Sequence, residues 1–209
     1  MQGEFTPTDD TSICPNLNDS TFVSQSVHPL APKFDRLFRG RRNAYGTYDL
    51  SNVTIASDGK LKGSAQTKRL PSAEDETWLR LWTDHLLGKQ PGLGVFPICE
   101  TGTCHWGCID VDCKFAIDPR TLAQKVGALS LPLITCNSKS KNASHTYFFS
   151  KKPLPALMMR ETMEDFRNQL SLPKEVEVFP NIAVDTDAEL PGGWVSMPYF
   201  GLTRTGISL

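Results

Sequence analysis

The chain has 209 residues, enough to bury the core of one domain and at most two, and its 39% apolar and 22% charged residues, with 15 Gly and 15 Pro, exclude collagen, coiled coil and wholesale disorder. No run approaches the roughly 20 apolar residues of a membrane span, and the opening MQGEFTPTDD lacks the basic and apolar regions of a signal peptide, so the protein reads as intracellular, in a cytoplasm, with no membrane partner. A net charge of −1 excludes a globally basic coat for nucleic acid, yet Lys33 to Arg69 holds nine basic against three acidic residues, a local +6 that leaves −7 for the rest.

Residues 1–33 are rich in Ser, Thr, Asp, Asn and Pro without periodicity and read as a flexible N-terminal arm, with the folded body, 34–209, starting near Phe34. AYGTYDLSNVTI and LKGSAQTK read as short strands around an Asp58-Gly59 turn, which puts basic residues on strand edges and a hairpin. Ser72 as cap, Glu74, Asp75 and Glu76 in the first turn and Gly88 as stop frame a helix whose apolar stripe is Trp78, Leu79, Trp82 and Leu86. GVFPI and HWGCIDVD read as strands. Asp118-Pro119 starts a second helix presenting Leu122, Val126 and Leu129. Leu131–Cys136 and HTYFF are strands flanking the polar loop NSKSKNAS; a helix from Pro155 turns Leu157, Met158, Met163, Phe166 and Leu170 inward; EVEVFP and GGWVSMPYF follow as strand segments. Helices alternating with strands and hairpins predict an α+β fold with a mixed or antiparallel sheet.

The middle four of six cysteines run C-x4-C-x3-C-x4-C (Cys99, Cys104, Cys108, Cys113), without the paired knuckles of a structural zinc site, and read as small core residues kept reduced.

Three features carry chemistry. In Cys108-Ile109-Asp110-Val111-Asp112, residues two apart share a strand face, so Asp110 and Asp112 project together while Ile109 and Val111 enter the core. Carboxylates held that close repel unless a cation lies between them, and all-oxygen donors suit Mg²⁺ or Mn²⁺. Ser138 to His145 offers hydroxyls, ammonium groups and an imidazole to an anion such as a triphosphate, the candidates being Lys139, Ser140, Lys141, Asn142, Ser144 and His145. Glu177, between Val176 and Val178, is a third acid on a strand face. Together these describe a two-metal phosphoryl-transfer site.

The order LFRGR (37–41), HLLGKQPGLGVFPI (85–98), CHWGCIDVD (104–112), SKSKNASHTYFF (138–149), VEVFPN (176–181) and GGWVSMPYFG (192–201) resembles the catalytic domain of archaeo-eukaryotic primases, most closely the primase-polymerases of phages, plasmids and other mobile elements. The resemblance covers about residues 34–201 and implies an RRM-like sheet flanked by helices and an N-terminal α/β module. It implies Asp110 and Asp112 as the metal-binding pair, His145 as the phosphate-contacting histidine and Glu177 as the third-motif acid, with Asp185 and Asp187 as competitors for that last role. The family's second motif is Ser-x-His; here Ala143-Ser144-His145 leaves the serine's role to Ser144 or Ser140. Arg39 and Arg41 of LFRGR are candidates to contact DNA template, nucleotide or only a nearby acid. The implied activity is template-dependent synthesis of phosphodiester bonds from NTPs or dNTPs on single-stranded or primed DNA, with a helicase domain or protein as an expected partner and the chain an expected fragment of a longer protein. Two other classes compete: a metal-dependent nuclease, which shares the acids but needs no triphosphate loop, and a non-catalytic DNA-binding module of a replication initiator. A rolling-circle nickase is disfavoured, because it needs a second His two positions before His145, where Ala143 stands.

Overall fold

A computed structural model describes residues 26–57, 61–71, 74–181 and 192–207. Helix α1 (Ala31–Leu37) begins just ahead of Phe34 and leads into β1 (Ala44–Ile55) and β2 (Leu61–Arg69). These strands coincide with the segments read from the sequence, β2 reaching one residue further, and form one antiparallel hairpin, Ala44 opposite Arg69 and Ile55 opposite Leu61; the Asp58-Gly59 turn lies outside the described residues. Helix α2 (Asp75–Leu86) and β3 (Gly92–Val95) follow. Ser72 lies outside the described residues, while Gly88, at φ +74°, ends the helix in the left-handed conformation that glycine adopts without strain. Trp78, Trp82 and Leu86 are buried as their spacing predicts.

The second half runs β4 (Thr103–Val111), a 3-10 turn (Cys113–Phe115), α3 (Pro119–Ala128), β5 (Leu133–Asn137), β6 (Ser144–Pro155), α4 (Ala156–Gln169) and β7 (Glu177–Phe179), and β8 (Val195–Ser196) returns to the first sheet. The sheets have the orders β2-β1-β3-β8 and β5-β6-β4-β7, and every pairing is antiparallel. The β4-α3-β5-β6-α4-β7 path is the split βαβ arrangement that an RRM-like core requires. The fold class is thus α+β, with two antiparallel sheets rather than one.

Alternation along the strands sorts the second sheet's faces. Ile109, Val111, Leu133 and Val178 join Leu122 and Val126 of α3, Met159 and Met163 of α4 and Leu170 just after it in one core. Leu157, Met158 and Leu129 are exposed instead of inward: α4 starts at Ala156, and its 3.6-residue period selects Met159, Met163 and Phe166 for the sheet. On the other face Trp106, Cys108, Cys136 and Tyr147 meet Phe34, Phe38 and Trp82 of the N-terminal module. That module covers the apolar rows of the face and leaves the row beyond them for chemistry.

His85 ties the module to the C-terminal segment. Its Nδ1 accepts from the Leu93 N–H at 3.0 Å, so its Nε2–H donates to the Pro198 carbonyl at 2.8 Å. Burial pushes its pKa down to about 4. Because the unfolded imidazole titrates near 6.5, stability is complete above that pH and is lost as pH falls from about 6.5 to about 4, by roughly 3 kcal/mol. Thermal unfolding of the wild type should steepen its decline across this window, and the stability gap to His85→Gln should narrow as the solution is acidified.

Cys104, Cys108 and Cys136 are buried, and burial pushes the thiols of Cys104 and Cys136 up to about 12 and that of Cys108 well above its usual value. They pack as small apolar groups. No helix among the described residues is long and apolar enough to cross a membrane.

Candidate active site

The central strand β4 carries Asp110 one residue before its end, and its register decides what stands beside it. Asp110 lies directly opposite His145 on β6 and Glu177 on β7, and Cys136 of β5 lies opposite His145. Direct antiparallel partners share a face, so Cys136, His145, Asp110 and Glu177 form one row across the sheet. The preceding row, Ile134, Tyr147, Cys108 and Phe179, leads into the N-terminal core. Ile109 and Val111 are fully buried on the opposite face, as the alternation requires. Asp112 follows the end of the strand; its extended backbone (φ −67°, ψ 152°) opens the 3-10 turn, and its side chain does not cap that turn.

Asp110, Asp112 and Glu177 line one cavity of about 260 Å³. Its other wall is basic, with Lys114, Arg160, Arg167 and Lys174. Arg167 is engaged with the carbonyls of Lys174 and Val176, and Arg160 with Glu164 and Asn181, so both brace β7 and its approach. Glu177 Oε1 accepts from Asn181 Nδ2 at 2.8 Å. Asp185 and Asp187 lie outside the described residues. As the side chains stand, no group of three His, Cys, Asp or Glu among the described residues is gathered tightly enough to hold a metal ion: Asp110 is turned to His145 and Glu177 to Asn181. The donor chemistry nonetheless fits a hard divalent cation, since the carboxylates of Asp110, Asp112, Glu175 and Glu177 border one cavity and Asp110 opposes Glu177 across the β4–β7 pair.

The second cavity, about 440 Å³, is the SKSKN loop and its surroundings. Ser138 N–H to the Ala143 carbonyl (2.9 Å) and Ala143 N–H to the Ser140 carbonyl (3.2 Å) close the loop, and Asn142 takes φ +56° at its tip. Lys139, Lys141, Ser138, Ser140 and Asn142 line this cavity with Arg120 of α3. Asp118 caps α3 through the Thr121 N–H at 2.8 Å, a bond that holds its carboxyl below the usual range. Lys139 Nζ stands 5.3 Å over the Tyr48 ring, and Arg204 donates to the Tyr48 hydroxyl at 2.8 Å, which ties loop, first sheet and C-terminal segment together.

His145 bridges one lining residue of each cavity. Its Nε2 lies 3.3 Å from Asp110 Oδ1, on the acidic side, and 3.3 Å from Ser138 Oγ, on the basic side. Ser144, in contrast, faces the opposite side of β6: its Oγ is fully buried with no hydrogen-bond partner among the described residues. One position along a strand reverses the face, so Ser138, not Ser144, is the serine at the imidazole.

Arg39 and Arg41 are not part of this constellation. The Arg39 carbonyl accepts from Trp106 Nε1 at 3.1 Å, four residues before Asp110, or about 13 Å along an extended strand. Arg39 is exposed, and Arg41 is buried where its charge helps hold Glu100 low: burial acts upward on that carboxyl, and the N–H groups of Glu100, Arg42 and Asn43 with Arg41 outweigh it. Gly40 between them is demanded by packing, since a Cβ there would lie 2.0 Å from the Phe96 carbonyl oxygen. Of the other basic residues in the 33–69 segment, Lys33, Arg36, Lys62, Lys68 and Arg69 are exposed, whereas Arg42 is buried in ion pairs with Asp35 and Asp75; Lys60 lies outside the described residues.

Arg120 and the basic wall facing the acids escape a reading by motif. Arg120 lies one position past the Asp118-Pro119 helix start, and only the sheet's folding brings that start beside the loop after β5.

No curated protein matches the chain. The model of one family, described as TOTE conflict system, Archaeo-Eukaryotic Primase domain, matches residues 30–199. That span holds both sheets' described strands, the acid row and the Ser/Lys loop, and the chain belongs to this archaeo-eukaryotic primase domain family.

Proposed function

We propose that this primase-type domain is a template-dependent nucleotidyltransferase that joins NTPs or dNTPs to a 3′-hydroxyl on single-stranded or primed DNA. The observation that carries the reading is that one imidazole nitrogen of His145 stands 3.3 Å from Asp110 of the acidic cavity and 3.3 Å from Ser138 of the basic one. Phosphoryl transfer needs that juxtaposition: carboxylates on the side of the reacting phosphorus, and cations and donors on the side of the phosphates that leave.

Asp110, Asp112 and Glu177 would hold Mg²⁺ or Mn²⁺, which supplies activation of the 3′-hydroxyl and neutralises charge at the α-phosphate. The chain's own groups bind and orient. Lys139, Lys141 and Arg120 offer positive charge to the β- and γ-phosphates, Ser138, Ser140 and Asn142 offer short polar contacts, and His145 presents Nε2 between Asp110 and Ser138. The reaction forms one phosphodiester bond and releases pyrophosphate. The exposed lysines and arginines of α1 and β2 suit a template backbone held without sequence preference, so template affinity should fall as salt rises.

Nucleotide binding separates this reading from a nuclease, which shares the acids but has no use for the basic cavity. A non-hydrolysable nucleoside triphosphate should bind the wild-type protein, and Lys139→Ala, Lys141→Ala and Arg120→Ala should each weaken it by about tenfold, as expected for loss of one partly exposed charge-assisted contact. Absence of binding by the wild type would contradict the proposal.

A further inference from the structure

The residue behind His145 has no place in the two cavities, yet it reaches the ring. His145 and Tyr147 are two apart on β6 and share its face; the Tyr147 hydroxyl lies 3.0 Å from His145 Nδ1, and the rings meet edge to face at 5.9 Å. Tyr147 is 0% exposed and held by Phe38 at 5.2 Å, Trp106 at 6.0 Å and Phe149 at 6.1 Å between ring centroids. Burial pushes its phenol well above the usual range, so it keeps its proton.

The two ring nitrogens face chemically different partners. Asp110 Oδ1 stands 3.3 Å from Nε2 as an acceptor and the Tyr147 hydroxyl 3.0 Å from Nδ1 as an available donor, so a neutral ring with its proton on Nε2 matches both neighbours. Nδ1 is then a bare acceptor, and the phenol is a donor aimed at it. We infer that Tyr147 is a positioning residue, whose hydroxyl holds His145 as the Nε2–H tautomer and aims that N–H between Asp110 and Ser138. When Asp110 turns to another partner, the Tyr147 bond keeps Nε2–H a donor for a phosphate oxygen. That consequence rests on the proposed function; the tautomer itself rests on geometry alone.

Tyr147→Phe removes the hydroxyl and keeps the ring stack. The ¹⁵N spectrum of histidine-labelled, nucleotide-free protein, at alkaline pH and with His145 assigned by comparison with His145→Gln, reads the tautomer directly. The wild type should show a protonated Nε2 and a hydrogen-bonded, unprotonated Nδ1; Tyr147→Phe should move the Nδ1 signal toward that of an unbonded nitrogen. The nucleotide KM of Tyr147→Phe should rise about 3- to 10-fold, the worth of one hydrogen bond, with a smaller change in kcat. A wild-type Nδ1–H tautomer, or a Tyr147→Phe protein with unchanged shifts and unchanged KM, overturns the inference. Should Tyr147→Phe fail to fold, the wild-type spectrum alone decides it. A protein that incorporates no nucleotide but shows the expected spectrum refutes the proposed function and leaves Tyr147's role standing.

Discussion

Asp110→Asn is expected to lower nucleotide incorporation by at least about a thousandfold while leaving the thermal midpoint unchanged or slightly raised. The first half follows from position: Asp110 is the acid on the central strand, flanked by His145 and Glu177, and several kcal/mol of charge stabilisation in phosphoryl transfer depends on such a group. The second half follows from cost. Like charges directly opposite one another destabilise an antiparallel pair, and Asp110 opposes Glu177. The substitution keeps shape and still offers His145 an acceptor, so the fold loses repulsion and no packing. Groups that burden folding but serve chemistry trade stability for activity. Thermal unfolding beside an incorporation assay checks both halves. A large fall in stability would mean that Asp110 is structural, and Asp112→Asn should behave in the same way.

Arg42→Ala should have the largest effect on stability, about 3–5 kcal/mol, the cost of stranding one partner of a buried ion pair. Arg42 Nη1 bonds Asp35 Oδ1 at 2.5 Å, Nη2 bonds Asp75 at 3.0 Å, and the guanidinium lies 4.5 Å over Trp78, whose Nε1–H donates to the Arg42 carbonyl. One side chain therefore joins α1, the start of β1 and α2. Asp75 is largely exposed and contributes little; Asp35 is only 15% exposed, and its charge is the one left uncompensated. Arg42→Lys should rescue little, since an ammonium supplies neither the fork nor the flat stack. Denaturant midpoints of both variants test this, and a loss below about 1 kcal/mol for Arg42→Ala would place the ion pair among ordinary surface contacts.

Period-2 and period-3.6 patterning made most of the fold legible. Trp78, Trp82 and Leu86, the Asp118-Pro119 start of α3, and the alternation of Ile109 and Val111 with Asp110 follow from local chemistry and survive folding unchanged. The failures have equally local causes. Leu157 and Met158 precede the helix phase that Met159 sets, and the polar alternation at Ser144-His145 sends the two side chains to opposite faces. What no motif contains is juxtaposition. His145 reaches Asp110 through strand pairing across 35 residues of chain, and Arg120 reaches the Ser/Lys loop through the placement of α3. LFRGR shows how a basic motif divides on folding: its glycine serves a close approach to Phe96, Arg41 is buried near the acid Glu100, one of the partners the motif allowed, Arg39 stays exposed, and the neighbouring Arg42 locks the module.

The most direct test incubates the protein with single-stranded DNA, bare or annealed to a short primer, Mg²⁺ or Mn²⁺, and labelled NTPs or dNTPs, beside an Asp110→Asn/Asp112→Asn protein of confirmed fold. Lengthened or newly made strands from the wild type and none from the double variant are the predicted result, and the bare template shows whether the enzyme initiates. Shortened DNA, or a folded wild type that binds template and nucleotide yet makes no product with either metal, would contradict a nucleotidyltransferase built on this row of acids.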